Sequence, residues 1–187
     1  MSTADKPPSA GPEDVLAFWR EAGPKRWFEK DEQFDKTMTE RFLPLHGEAS
    51  AGTLDHWSEN ADGNLALILV LDQFSRNMFR GAAKSFAQDE QALKIAGKAI
   101  RLGFDKQFDP GLRVFFYMPF EHSECLSDQH RCIRLVHALG DAEFLKYAIL
   151  HREIIRRFGR FPHRNAVLGR HSSPVEQAFL DDGGFSG

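Results

Sequence analysis

The chain has 187 residues, of which 42% are apolar, 24 are Lys or Arg and 27 are Asp or Glu, giving a formal charge of -3. A chain of this length buries roughly 70% of its unfolded surface, so it needs neither a disulfide framework nor a structural metal to fold, and its mild acidity excludes a general polyanion binder. The mean hides a division: residues 151–170 hold six arginines and one acid, Glu153, a local balance of +5 that leaves the remainder at -8.

Residues 1–11 are rich in Ser, Ala and Pro and lack the apolar run of a signal peptide, so they are expected to form a loose tail. The most hydrophobic stretch, residues 65–71, is far shorter than the roughly 20 residues of a membrane span. A soluble, cytoplasmic chain with one domain over residues 12–187 is expected, with no membrane partner.

Apolar residues recur at helical spacing almost throughout, with no convincing period-two alternation, which predicts an all-α fold. A first helix begins at Pro12, is favoured at its start by Glu13 and Asp14, and should stop at Gly23-Pro24. A second spans residues 31–49 with Phe34, Met38, Phe42 and Leu45 on one stripe, and Pro44 should kink it. The third, residues 64–79, is apolar on every side in its first half, the mark of a buried central element. A fourth covers residues 85–102 and ends at Gly103, and a fifth covers residues 110–118 and is interrupted by Pro119. The sixth and seventh, residues 123–139 and 141–158, are separated by Gly140. A capping box, Ser173-Pro174-Val175-Glu176, starts a last short helix. Short links between consecutive helices suggest antiparallel hairpins stacked side by side. Cys125 and Cys132 lie seven apart in the sixth helix, about 10 Å along its axis. That exceeds the roughly 7 Å reach of a disulfide, so buried free thiols are expected.

Several strings together resemble a bacterial family, that of domain of unknown function 924. They are Val15-Leu16-Ala17-Phe18-Trp19, Trp27-Phe28, residues 65–80 (LALILVLDQFSRNMFR), residues 117–124 (YMPFEHSE) and residues 158–170 (FGRFPHRNAVLGR), and the resemblance runs from Val15 to Phe185-Ser186-Gly187. It implies an all-α fold similar to tetratricopeptide repeats and carries no assigned biochemical activity. Arg20, where a third apolar or aromatic residue is expected after Phe18-Trp19, departs from the family string and bears only on local packing.

Polar groups on core-facing stripes locate a candidate site. In the third helix Asp72 and Arg76 follow Leu65, Ile68 and Leu69 on one face, one turn apart, with Gln73, Asn77 and Arg80 around the same end. His151 falls on the inward stripe of Phe144, Tyr147, Ala148, Ile155 and Phe158. Arg113 and Tyr117 share a face, and the break at Pro119 precedes Glu121, His122 and Glu124. The loop of residues 159–172 adds Arg160, His163, Arg164, Asn165 and Arg170.

Burying ionised groups costs several kcal/mol unless they are paired, and two arrangements meet that cost. One is a fixed ion-pair network, with Asp72 on Arg76, Glu121 or Glu124 on Arg113, and loop arginines tying the last helix to the body. The other is a pocket in which arginines hold a carboxylate or phosphate. On that reading Asp72, Gln73, Arg76, Asn77, Arg80, Arg113, Tyr117, Arg160, His163, Arg164, Asn165 and Arg170 are the ligand-binding candidates. His122, Glu124 and His151 are the candidates for proton transfer. His122, Glu124 and His151 or His163 also carry metal-ligating atoms, but no HExxH or paired CxxC spacing accompanies them, and no metal is expected. Neither a Walker-type loop nor GxGxxG nor GxSxG occurs, so no cofactor is evident. The expected partner is a small anionic metabolite; the alternative is a peptide or protein bound by a tetratricopeptide-like module. Nucleic acid ranks last, because an inward seventh helix turns several arginines away from solvent.

Overall fold

The computed structural model describes residues 10–185, and every regular element among them is helical. The expected loose tail falls mainly on residues 1–9, outside the described range. Helix α1 (Pro12–Phe28) begins at an N-cap, Gly11, whose N–H donates to Asp14 Oδ2 at 2.8 Å. It does not end at Gly23-Pro24: Gly23 alone leaves helical geometry (φ 71°), and Pro24, suited to a first turn, restarts the helix. The restarted turn carries Trp27, whose indole N–H donates to the Trp19 carbonyl at 2.7 Å and whose ring stacks on Trp19 at 5.9 Å. Helix α2 (Glu32–Ser50) is capped by Asp31 and runs through Pro44, burying the expected stripe of Phe34, Met38, Phe42 and Leu45.

The centre of the molecule is a helical rod formed by α3 (Ala61–Ile68), a turn of π-helix (Leu69–Phe74) and α4 (Ser75–Met78). It is buried from Gly63 to Ser75, as the all-round apolar pattern requires. Helices α1, α2 and α5 (Asp89–Arg101) pack around it. Gly63 is obligatory here, because a Cβ at that position would overlap the Trp57 carbonyl oxygen. The rings of Phe18, Trp19, Phe34, Phe42 and Phe74 interlock across α1, α2 and the rod, and Phe115 packs edge-on against Trp19.

The expected fourth helix starts late: Ala83–Phe86 is a 3-10 turn, and α5 begins only at Asp89. The fifth is broken into α6 (Pro110–Arg113), a 3-10 turn (Val114–Phe116) and α7 (Met118–Glu121), which accommodates Pro119 in its first turn. Helices α8 (Leu126–Leu139) and α9 (Ala142–Phe158) form a hairpin, turned by Gly140 at φ 81° and capped by Asp141. Cys125 is the N-cap of α8 and is exposed, which corrects the expectation of two buried thiols; Cys132 is buried, and both are free. A 3-10 turn (Pro162–Arg164) leads to α10 (Pro174–Asp181), which carries the expected capping box. Ile154, Ile155 and Phe161 form a second small core with Phe158, Phe179 and Phe185.

Candidate functional site

The π-turn faces two carboxyl-bearing elements, and the site follows from it. Asp72, fully buried on that turn, accepts from His122 Nδ1 at 2.7 Å and Gln73 Nε2 at 2.6 Å and is ion-paired with Arg76 Nη1 at 3.0 Å, while that nitrogen donates to the Asp72 carbonyl at 3.1 Å. Burial alone would raise its pKa, but the charge of Arg76 and the contact with His122 outweigh it and hold Asp72 well below the usual carboxylate range. An ionised carboxylate only accepts, so the His122 proton sits on Nδ1, which leaves Nε2 with a lone pair and no hydrogen-bond partner among the described residues. Burial, then Arg76, keeps His122 below its ordinary pKa and therefore neutral near pH 7.

Arg76 continues the chain of contacts to Asp89 (3.0 Å), and Asp89 continues it to Arg164 Nη1 (3.1 Å). Arg164 donates from Nη2 to the His122 carbonyl at 3.0 Å, and its guanidinium lies between the rings of Phe86 and Phe161, 4.6 and 4.5 Å from their centroids. Burial lowers its pKa to about 10, so it remains charged.

Glu121, on α7, was not among the residues singled out by sequence for proton transfer, yet it lies on the floor of the cleft and Glu124 does not. It is almost fully buried, and burial followed by the nearby Asp72 charge raises its pKa to about 8, so it is protonated at neutral pH. Cys132 Sγ lies 3.9 Å from its Oε2, and His151 Nδ1 lies 3.4 Å from its Oε1. The same His151 nitrogen donates to the Tyr147 carbonyl at 2.8 Å, which fixes its tautomer; burial lowers its pKa to about 3. Glu121, His122 and His151 are therefore all neutral near pH 7.

They border a cleft of about 590 Å³ together with Gln73, Arg76, Asn77 and Arg80. Its walls are Trp27 and Phe28 from α1, Phe144 and Tyr147 from α9, and Phe185 after α10. Phe28 is 50% and Tyr147 48% exposed, so both rings face open space. Asn77 and Arg80 are tied to Asp35, at 2.6 and 3.0 Å. Arg76 keeps its Nε free of hydrogen bonds among the described residues, while its side chain remains 18% exposed.

The remaining candidates lie apart from this cleft. Arg113 pairs with neither Glu121 nor Glu124 but donates to the Phe108 carbonyl at 2.7 Å, and the buried Tyr117 donates to Asp105 Oδ2 at 2.8 Å. Glu124 accepts from the Phe161 N–H (2.8 Å) and from both ends of Arg170 (2.7 and 3.0 Å). These contacts hold Glu124 below the ordinary range although its partial burial opposes them. Arg160 makes a two-pronged contact with Glu176, at 2.6 and 2.8 Å, and Asn165 donates to Ser172 at 3.1 Å. His163, brought to about 4 by burial, has a buried Nδ1 without a partner among the described residues. The loop arginines thus act as ties for α10 and the small core, the ion-pair arrangement foreseen for them. Their acids are 16 to 75 residues away, too distant for spacing to reveal. Glu121 had one legible signal: on α7 it precedes His122 directly, so a single helical turn sets both beside the rod. No group of three or more His, Cys, Asp or Glu side chains among the described residues is arranged to hold a metal.

The model of a family of bacterial proteins of unknown function, DUF924, matches residues 15–184. A solved structure of a protein of unknown function from Agrobacterium tumefaciens is similar, with a TM-score of 0.89 and 45% identity over 91% of this chain and 97% of that one. No curated protein matches. Among the described residues, no helix is long and apolar enough to cross a membrane.

Proposed function

We propose that this chain, which belongs to the DUF924 family of bacterial proteins of unknown function, binds a small anionic molecule in the His122 cleft and positions it for proton transfer. The observation that carries this reading is the Asp72–His122 contact of 2.7 Å set beside Glu121, a carboxyl of opposite tendency, on one cleft floor. Two titratable groups pushed apart by their surroundings supply one acceptor and one donor. His122 Nε2 is the acceptor, oriented by Asp72; the Glu121 O–H is the donor. A ligand oxygen is met by that O–H and by Arg76 Nε, with Arg80 at the margin. No Ser, Thr or Cys borders the cleft among the described residues, so the reading is acid–base chemistry on the ligand or a water rather than a covalent intermediate.

Calorimetric titration with benzoate, phenyl phosphate and benzylammonium tests this. The anions should bind at pH 6.5 and weaken as pH passes about 8, where Glu121 ionises. Glu121→Gln, which retains an N–H donor, should keep its affinity at pH 9. Equal binding of benzylammonium and benzoate, or no binding of either anion at millimolar concentration, refutes the reading.

The exposed Phe28 and Tyr147 rings at the rim favour one second reading, capture of a peptide segment along the same cleft. It differs in requiring several side chains at once, so single-ring anions would leave the melting temperature unchanged.

A further inference from the structure

One wall of the cleft is contributed by Phe185, which follows α10, and its path is dictated by two glycines. Gly183 adopts φ 76°, the left-handed conformation in which a Cβ is strained, and its N–H donates to the Leu180 carbonyl at 3.1 Å. Gly184 donates to the Phe179 carbonyl at 2.9 Å, and a Cβ there would overlap that oxygen and lie 2.6 Å from the Phe179 ring. The helix they terminate is itself pinned, since Glu176 receives both prongs of Arg160 and the Ser173 N–H at 2.7 Å. The exit from α10 therefore has one route. It delivers Phe185 onto the His151 ring, edge to face at 4.6 Å, and against His163 at 5.3 Å.

Phe185 is neither a core residue nor a free end. Phe161 already fills the interior of the small core and is fully buried, whereas Phe185 is only partly covered and borders the cleft. One part of its surface shields the imidazoles, and another faces the space above Glu121 and His122. The same cleft is lined by the exposed rings of Phe28 and Tyr147. An opening bounded by rings accepts a flat partner well, because aromatic pairs are favourable in offset or edge-to-face arrangements at centroid distances of roughly 4.5–7 Å.

We propose that Phe185, presented by the Gly183–Gly184 turn, is the specificity-determining wall of this cleft and selects acids with a flat, ring-bearing body over open-chain acids of equal charge. This rests on the reading of the cleft as an anion site and names the class of anion. The acid group meets Glu121 and Arg76 at the floor, and the ring lies between Phe185 and the α1 and α9 aromatics. Phe185 selects through contact with the ligand body and takes no part in the proton transfer.

Three probes, benzoate, cyclohexanecarboxylate and acetate, separate the contributions of ring, bulk and charge. In the wild type, benzoate should bind more tightly than cyclohexanecarboxylate and both more tightly than acetate. Phe185→Ala should weaken benzoate by about five- to tenfold, the range of a lost aromatic pair, and leave acetate unchanged. Gly184→Val, which keeps the ring but blocks its route, should reproduce that loss; Phe185→Trp should retain the preference. Carbethoxylation of His151 by diethyl pyrocarbonate, followed by mass spectrometry, should accelerate several-fold in Phe185→Ala and in Gly184→Val. An unchanged benzoate-to-acetate ratio in Phe185→Ala, with the wild type binding both, overturns the role of Phe185 and leaves the anion site standing. Failure of the wild type to bind benzoate and acetate alike overturns both.

Discussion

Replacing Glu121 with Gln removes a proton-binding group whose effect on stability has a defined sign and window. Its pKa is near 4.5 when solvated and is pushed up to about 8 by burial and by the charge of Asp72. Between those values the folded chain holds a proton that the unfolded chain has released, so the contribution is full below about 4.5 and is lost as pH rises through 8. Other buried groups confine where this is visible. His46, His151 and His163 have pKa values depressed to about 4, 3 and 4, with burial the first cause in each. They give stability that rises with pH up to their solvated value near 6.5 and oppose Glu121 below it. The same histidines, with His122, titrate in Glu121→Gln, so the difference between wild type and variant isolates the Glu121 effect from pH 6.5 to 8. Linkage is worth at most about 1.4 kcal/mol per pH unit, and with the group half-titrated at the upper limit the loss across this window is roughly 1.6 kcal/mol. In a chain of this size that is a fall in melting temperature of about 3–6 °C. Differential scanning calorimetry at half-unit pH steps on the wild type and Glu121→Gln measures it. The wild type should lose this stability relative to Glu121→Gln as pH rises from 6.5 to 8; a difference between the two that does not change with pH refutes the assignment of a protonated Glu121.

Arg164→Lys keeps the charge but loses the planar contact with Phe86 and Phe161 and one of the two donors that reach Asp89 and the His122 carbonyl. It should cost about 2 kcal/mol, and Arg164→Ala, which leaves Asp89 with Arg76 alone, the His122 carbonyl without its donor and the two rings without their guanidinium, about 3–5 kcal/mol, both read from urea midpoints. Equal stability of Arg164→Lys and wild type would show that charge alone suffices. Tyr117→Phe removes the donor to the buried Asp105 and should cost roughly 1–3 kcal/mol without altering benzoate affinity. A change in affinity would return Tyr117 to the site. Gly63→Ala drives a methyl into the Trp57 carbonyl oxygen and should destabilise by about 3 kcal/mol or more; a near-neutral midpoint shift would mean that the turn around Trp57 yields readily.

Contacts within one helical turn were legible in the sequence, and contacts between elements were not. Asp72 and Arg76 pair at 3.0 Å as their spacing of four requires, and the apolar run after Asn64 lies in the centre of the molecule. His151 is buried with Ala148 and Ile155 as its stripe requires, but Tyr147, on the same stripe, is exposed where the cleft opens. Helical spacing does not foresee a π-turn, and it is this turn that carries Asp72 and Gln73. Nor does it foresee the 50-residue separation between Asp72 and His122. Arg113 and Tyr117 occupy one face in an ideal helix, but the chain tightens to a 3-10 turn at Val114–Phe116, and both side chains are taken up by the Phe104–Phe108 region. Glu121 and Glu124 flank His122 equally in sequence. Only the end of α7 decides that Glu121 turns inward and Glu124 outward to Arg170.

The ion-pair network and the pocket looked like rival accounts of the same buried polar residues, and the geometry makes one the support of the other. Asp72 cannot be buried ionised without Arg76. Arg76 in turn draws in Asp89, and Asp89 receives Arg164. Arg164 then reaches the His122 carbonyl, so the circuit returns to the residue where the Asp72 side chain began it. His122 is held by its ring at one end and by its backbone at the other, and its Nε2 is the atom left without a partner among the described residues. The same Asp72 charge that fixes His122 helps keep Glu121 protonated. Charge buried on the rod therefore sets both neutral groups of the cleft, and Arg164, from the +5 segment, reaches them through the backbone of His122.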